Sequence, residues 1–571
     1  MCEGHSHDHS HENDSVQNNW DEADRPLDDL TLTRRGLMGA LGAAAAAASL
    51  APLGAAPAGA TTHLDAQKRT VNPWKPYRYH LAGDHHIHTQ YSPDAMYTVD
   101  THVKNASKNG LDWMVITDHG GTAHQKYSVD MITNDIKDAR RAYGNTAVFQ
   151  GLEWNVPGAE HATVILPPHG TTPSVLKQFE LLFDGTVLAD AKKITNANAS
   201  DGEPYAVAGL KWLADQVKSG VVPMALMFAN HPTRKGLDSP AEIRAWREAA
   251  PDIVMGWEGA PGHQAAGIST AAGGPGAGRG YYDNAFNESY SYSGYRATAT
   301  ENPLRTYGGF DWGTARVGGL WDSLLAEGKP WWITANSDSH QVFQDTFVGG
   351  NLTTGTTLNT AYYNTTGKYS NPVDTGKAIG TYGDFWPGTY SRTIVSSISK
   401  SYLTLMKALK SGLILTTHGG IIDGADIRVT TSDDAQGVAT GGRTFVKKGG
   451  TVTATITIDL ATRPNYIGNI PLLKKVDLIS GPITGPVTDQ QTMFAPNTKV
   501  EKTFEVSQTS GQVVLTYTYK NVGSSFYLRY RGSDGNKLAA NGVDPVMDTM
   551  GDANPWNDLW FYSNPVFIDA I

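Results

Sequence analysis

An α/β barrel followed by an antiparallel β-sandwich is the fold class this sequence predicts, and two observations predict it. From about residue 77 to residue 345, short apolar runs alternate with helix-permissive stretches, and His, Asp or Glu gathers at the ends of the runs. After about Asp423 the pattern becomes period-two alternation, as in TVTATITIDLA and QVVLTYTYKN. Short apolar runs with helix-sized connections read as parallel strands buried on both faces. Alternating runs punctuated by Gly, Asn, Asp and Pro read as antiparallel strands packed sheet on sheet. At 571 residues the chain has room for both units with separate cores.

The N-terminal 60 residues read as a leader. The acidic stretch around His5, His7, His9 and His11 has the composition of a disordered tail. Arg34-Arg35 then precede a weakly apolar Ala/Gly-rich stretch ending in Ala58-Gly59-Ala60, the pattern of a twin-arginine export signal cleaved after Ala60. This predicts use of the twin-arginine export machinery and a mature protein outside the cytoplasmic membrane: extracellular, periplasmic or associated with the cell wall. No other long apolar run is present, so the mature chain is expected to have no membrane span. Residues 61–76 form a linker to the barrel expected over 77–423.

The barrel runs are YRYHLAGDHHIH, LDWMVITDHG, AVFQGLEWN, HATVILP, PMALMFANHP, IVMGWEGA and KPWWITANSDSH. In α/β barrels the active site lies at the C-terminal ends of the strands. Five runs end there in metal-binding side chains: His86 and His88, His119, Glu153, His231, then Asp338 and His340. His161 begins its run instead. With 18 histidines in the chain, about 0.6 H-x-H pairs arise by chance, so the pair at 86 and 88 signifies little alone. The recurrence carries the weight, because buried imidazoles and carboxylates are costly singly and are satisfied together by cations. Composition narrows the chemistry further. A net charge of -10 gives no nucleic-acid footprint. The single cysteine, Cys2, excludes a disulfide framework and a thiolate zinc site, leaving His, Asp and Glu as ligands.

The pieces DHHIHTQYSPDA, ITDHG, GLEWN with GAEHATVIL, FANHP and NSDSH resemble the PHP (polymerase and histidinol phosphatase) superfamily of metal-dependent phosphoesterases, in the family's order. The resemblance implies a distorted seven-stranded β/α barrel holding two or three divalent ions (Zn, Mn or Fe). It implies His86, His88, Glu153 and Asp338 around the first ion, Glu153 bridging to a second held by His161 and His231, and Asp94, His119 and His340 around a third. Asp84 and Asp118 are then expected to orient ligating imidazoles. Two departures stand out: Ala95 replaces a frequent Gly, and Pro93 is inserted in the same motif. His169, eight residues beyond His161, competes for the same assignment, but the flanking residues favour His161.

The implied activity is hydrolysis of a small-molecule or cell-envelope phosphate monoester or diester. A metal-bridged hydroxide is the nucleophile, and Glu153, Asp338 and His340 are the catalytic residues. Arg234, Lys235 and Arg279 are candidate phosphate contacts. His124 and His263 carry nothing that separates them from loop histidines, and His85 is expected to be structural. An insertion at about 259–330 exceeds an ordinary connection and reads as a lid or substrate-binding loop, or as a mobile surface excursion. The stretch SYLTLMKALKSGLILTTHGG reads as a last helix and strand, with His418 supporting the interface to the β-sandwich at 424–571. Two other readings compete. An amidohydrolase also begins with H-x-H at a barrel strand, but its bridging lysine is not evident. A non-catalytic cell-surface binding protein on the same barrel is the other.

Overall fold

The computed structural model describes residues 79–282, 285–297, 301–354, 357–535 and 554–571; the expected leader, export signal and linker over 1–76 lie outside them. Numbering only the longer elements, the first part runs β1 (Tyr79–Asp84), α1 (Val99–Lys108), β2 (Trp113–Ile116), α2 (Val129–Ala142), β3 (Ala147–Asn155), β4 (His161–Leu166), α3 (Thr172–Phe183), α4 (Glu203–Lys218), β5 (Leu226–Ala229), α5 (Pro240–Ala249), β6 (Val254–Ala260), α6 (Leu320–Ala326) and β7 (Trp332–Ala335). Local chemistry sets the helices. In α2, Val129, Ile132, Ile136 and Ala139 recur at three- and four-residue spacing and form its buried stripe. In α5, Ser239 and Glu242 close a reciprocal capping box with Pro240 at the first turn.

The seven strands lie side by side in chain order. Neighbours pair in parallel except at β4, which is antiparallel to both β3 and β5. An all-parallel barrel is therefore not what forms. The reversal brings His161, at the start of β4, opposite Asn155 at the end of β3. The start of β4 thus lies at the same edge of the sheet as the end of β3.

The ladder does not close into a barrel. The edge of β1 that β7 would occupy is taken by β8 (Ser391–Ser397), antiparallel to β1. Beyond Asp84, β1 and β7 are joined by a single parallel bridge, Ile87 to Ser339, and Ala335 N–H donates to Thr393 Oγ1 at 2.8 Å.

The chain continues through α7 (Tyr402–Lys410), β9 (Ile414–His418), β10 (Ile422–Thr431), β11 (Arg443–Val446), β12 (Val452–Leu460), β13 (Lys475–Pro482), β14 (Lys499–Glu505), β15 (Gln512–Tyr519), β16 (Phe526–Ser533), β17 (Trp560–Ser563) and β18 (Val566–Ala570). This region is β-rich. One sheet, β10-β12-β15, is antiparallel and packs Ile427, Val429, Ile456 and Ile458 against Val476, Leu478, Leu528 and Ile568 of a second. The second sheet is not purely antiparallel, since β11 runs parallel to β18. It is also continuous with the first part, because β17 pairs β9, which pairs β8.

The 259–330 insertion is neither wholly mobile nor a surface excursion in its second half. Phe310, Trp312, Leu320, Trp321 and Leu324 are buried in the same core as the strands, together with Tyr527, Trp560 and Phe567. Apolar burial on this scale holds the segment as a wedge between the two regions. Beside it, fully buried Asp322 accepts from Arg529 Nε and Nη2 at 2.9 and 2.8 Å. Among the described residues no helix is long and apolar enough to cross a membrane.

Candidate metal centre

The site forms where the strand ends converge, and Glu153 on β3 stands at its middle. Its Oε1 lies 3.1 Å from His86 Nε2, 3.1 Å from His161 Nδ1 and 3.4 Å from His231 Nε2. Its Oε2 lies 3.2 Å from His88 Nε2 and 2.8 Å from His119 Nδ1. Asp338, after β7, places Oδ1 3.1 Å from His86 Nε2 and 3.3 Å from His88 Nε2. Asp94 faces His119 Nε2 at 3.2 Å and His340 Nε2 at 3.4 Å. The structure therefore brings together every histidine and carboxylate that the sequence nominated as a metal ligand.

Their grouping differs in detail from the expected partition. Ligand atoms converge in four sets, His86/His88/Asp338, His119/Glu153/His161, His88/Asp94/His119/His340 and His263/Asp338/His340, the last of which adds a histidine the sequence did not nominate. His231 touches Glu153 without joining a set, while His88, His119, Asp338 and His340 each fall in two, His119 because it lies between Glu153 and Asp94.

The donor set fits divalent cations. Ser92 Oγ donates to Asp118 and accepts from His119 N–H, so the contact at 2.8 Å to His88 Nδ1 requires the proton to be on that nitrogen. The lone pair of His88 Nε2 then points at His86 Nε2, 2.9 Å away. His340 Nδ1 likewise donates to the Asp338 carbonyl at 2.9 Å, which turns its Nε2 toward Asp94. Glu153 Oε2 and Asp338 Oδ1 are buried and accept no hydrogen bond among the described residues. Such a convergence of lone pairs is costly unless a cation satisfies it. Burial alone would raise both carboxyls, but His86, His161 and His119 hold Glu153 well below its ordinary pKa, as His263 and His86 hold Asp338.

Backbone strain concentrates here too. His231, His263 and Asp338 have φ of 31°, 52° and 46°, a region non-glycine residues enter only when their surroundings compel it.

Several supporting groups carried no sequence signal. Glu258, inside β6, contacts His86 Nδ1 at 2.6 Å through Oε1 and accepts from His231 N–H at 2.8 Å through Oε2. Asn230 Nδ2 donates to Glu153 Oε1 at 2.8 Å. Asp84 and Asp118 act differently from expectation. Asp84 accepts the N–H groups of His86 and Ser337, and Asp118 binds Thr89 and Ser92, so they fix backbone and hydroxyl rather than imidazoles directly. Burial pushes the Asp84 carboxyl up to about 7.

His85 is structural: it stacks on Phe228 and bonds Thr334. His124 is held by Glu180, and His169 bonds Thr171.

Exposure defines the mouth. His86 is sealed, whereas the side chains of His340, His119, His161 and Asp94 are 12, 15, 17 and 54% exposed, so a ligand reaches the cluster from their side. Of the expected phosphate contacts, Arg234 and Lys235 both pair with buried Glu160, at 3.2 and 3.0 Å, next to His231. Arg279 is committed elsewhere. It is buried, with its guanidinium on Gln264, Tyr390 and Asp558, and so ties the insertion to the C-terminal segment.

Residues 84–193 match the family model of the PHP domain. No curated protein matches the chain. Among solved structures, a two-domain protein containing a predicted PHP-like metal-dependent phosphoesterase, from Bacteroides vulgatus, is 13% identical. The likeness covers 83% of this chain and 95% of that one at a TM-score of 0.27, and a score that low carries no argument. The matched segment, residues 84–193, holds His86, His88, Asp94, His119, Glu153 and His161 in the geometry just described, and it is this part of the chain that is similar to the PHP domain.

Proposed function

We propose that this chain is a metal-dependent hydrolase of phosphate monoesters or diesters, its seven strands acting as a barrel left open between β1 and β7. The observation that carries the reading is the position of Glu153, whose Oε1 faces His86, His161 and His231 while its Oε2 faces His88 and His119. A carboxylate so surrounded would help to hold divalent cations in the cluster. Divalent ions held there would neutralise phosphoryl charge and make hydroxide available near neutral pH.

The chain's own residues do the rest. His86, His88, Glu153 and Asp338 hold the sealed end, and Asp94, His119 and His340 hold the exposed end. Glu258 and Ser92 fix the imidazoles. Arg234 and Lys235 add positive charge beside His231, where Glu160 keeps them in place. We also propose export by the twin-arginine route, which Arg34-Arg35 and Ala58-Gly59-Ala60 support.

Hydrolysis of aryl phosphate mono- and diesters by the purified chain tests the function. His86→Ala and Asp338→Asn are expected to abolish turnover in a folded protein. A metal-loaded chain inert toward a broad phosphoester panel would defeat the reading in favour of a binding role, and full activity in both variants would refute the site.

A further inference from the structure

We propose that His263 and Asp384 are positioning residues that clamp Asp338 and His340, so that one carboxylate outside every recognised motif sets the presentation of two ligands. The clamp rests on the functional reading above only through the ligand roles of those two residues. His263 Nε2 meets Asp338 Oδ2 at 2.8 Å, and its Nδ1 is bonded to Asp384 Oδ1. Asp384 Oδ2 meanwhile accepts the backbone N–H of His340 at 2.5 Å and of Gln341 at 2.7 Å. Both residues are buried, Asp384 at 2% exposure and His263 at 8%.

The backbone is built for this contact. A Cβ on Gly262 would lie 2.2 Å from Asp338 Cβ and 2.3 Å from the Ser337 carbonyl, so the loop after β6 lies directly on the ligand loop after β7. His263 N–H donates to that same carbonyl at 3.1 Å. Asp384 is fastened to the ligand loop by its backbone as well, through a bridge with Val342 and a 2.8 Å bond from Phe343 N–H to its carbonyl.

Two consequences follow. With Oδ2 engaged by His263, Asp338 presents Oδ1 to His86 and His88 as a single-oxygen ligand. With its backbone held by Asp384, His340 keeps Nε2 aimed at Asp94. Outer groups of this kind tune metal affinity by about 10- to 100-fold.

The test strips the full-length chain with a chelator and titrates Mn²⁺, then Zn²⁺, against a competing chromophoric chelator, alongside aryl phosphate kinetics. His263→Ala and Asp384→Ala are expected to keep the wild-type ion count and bind about 10- to 100-fold more weakly. In both, kcat should fall more than KM rises. His263→Gln retains an N–H toward Asp338 and should recover part of the affinity loss with a metal-free melting temperature close to the wild type's, whereas Asp384→Ala lowers that temperature modestly because the His340 and Gln341 N–H groups lose their acceptor.

Wild-type affinity in both alanine variants overturns the clamp. So does loss of a whole ion with the others unchanged, which would make His263 a ligand. So does a collapse of metal-free stability with no rescue by Gln, which would make the pair merely structural. A wild-type chain that binds ions yet hydrolyses no phosphoester defeats the functional reading alone, because the clamp is read from affinity.

Discussion

Replacing Glu258 by Gln changes one atom at the sealed end of the cluster, and the structure says what that atom does. Glu258 Oε1 meets His86 Nδ1 at 2.6 Å while Oε2 accepts the His231 N–H at 2.8 Å, both without access to water. A glutamine offers one acceptor and one donor to the two positions. If its NH2 faces His86, the imidazole proton moves to Nε2 and removes the lone pair directed at Glu153 and Asp338. If it faces His231 instead, a buried backbone N–H loses its acceptor, at about 1–3 kcal/mol.

Either arrangement weakens the metal position around His86, with an expected loss of about 10- to 100-fold in affinity, or about 1.4–2.7 kcal/mol. Competitive chelator titration of the purified variant measures it, with turnover read on the same samples. Wild-type affinity and turnover in Glu258→Gln would refute the assignment of His86 Nε2 as a ligand atom set by Glu258.

Three further outcomes follow from the same geometry. Gly262→Ala drives a Cβ into Asp338 and Ser337, so a loss of about 1–3 kcal/mol in denaturant unfolding is expected, with weakened metal binding; unchanged values would mean the loop moves freely. Asp322→Ala leaves Arg529 buried without its carboxylate and should cost about 3–5 kcal/mol, although the site lies elsewhere. A small loss would show water reaching Arg529. His418 is buried between Phe310 and Tyr390, and burial holds its pKa well below 6.5. The folded state therefore excludes a proton that the unfolded state accepts. The stability linked to this group is complete above pH 6.5 and falls by about 1.4 kcal/mol per pH unit below it. His418→Phe should lose less stability than the wild type between pH 6.5 and 5 by that slope, and parallel curves would contradict the linkage.

The residues of the cluster were legible because their signal is local: a His, Asp or Glu directly after a short apolar run, as at His88, His119 and Asp338. The reversal of β4 was half visible, in that His161 precedes its run where the other ligands follow theirs. What stayed hidden depends on distant partners. Glu258 stands in its strand like any half-buried acid until His86 is brought to it from 172 residues away. Asp384 follows no apolar run, and its value comes from reaching His263 and His340 through folding. Arg279 reads as a loop cation from local sequence, yet its partner is Asp558, 279 residues on. The unclosed ladder has the same origin, since nothing local states that β8 will take the free edge of β1.

Metal content of the purified, dialysed chain tests the central claim most directly. The proposed function predicts about two or three divalent ions per chain, removed by a strong chelator together with phosphoester hydrolysis and restored with it on adding back the metal. A chain that binds no ion tightly, or that hydrolyses phosphoesters equally well once stripped, would contradict it.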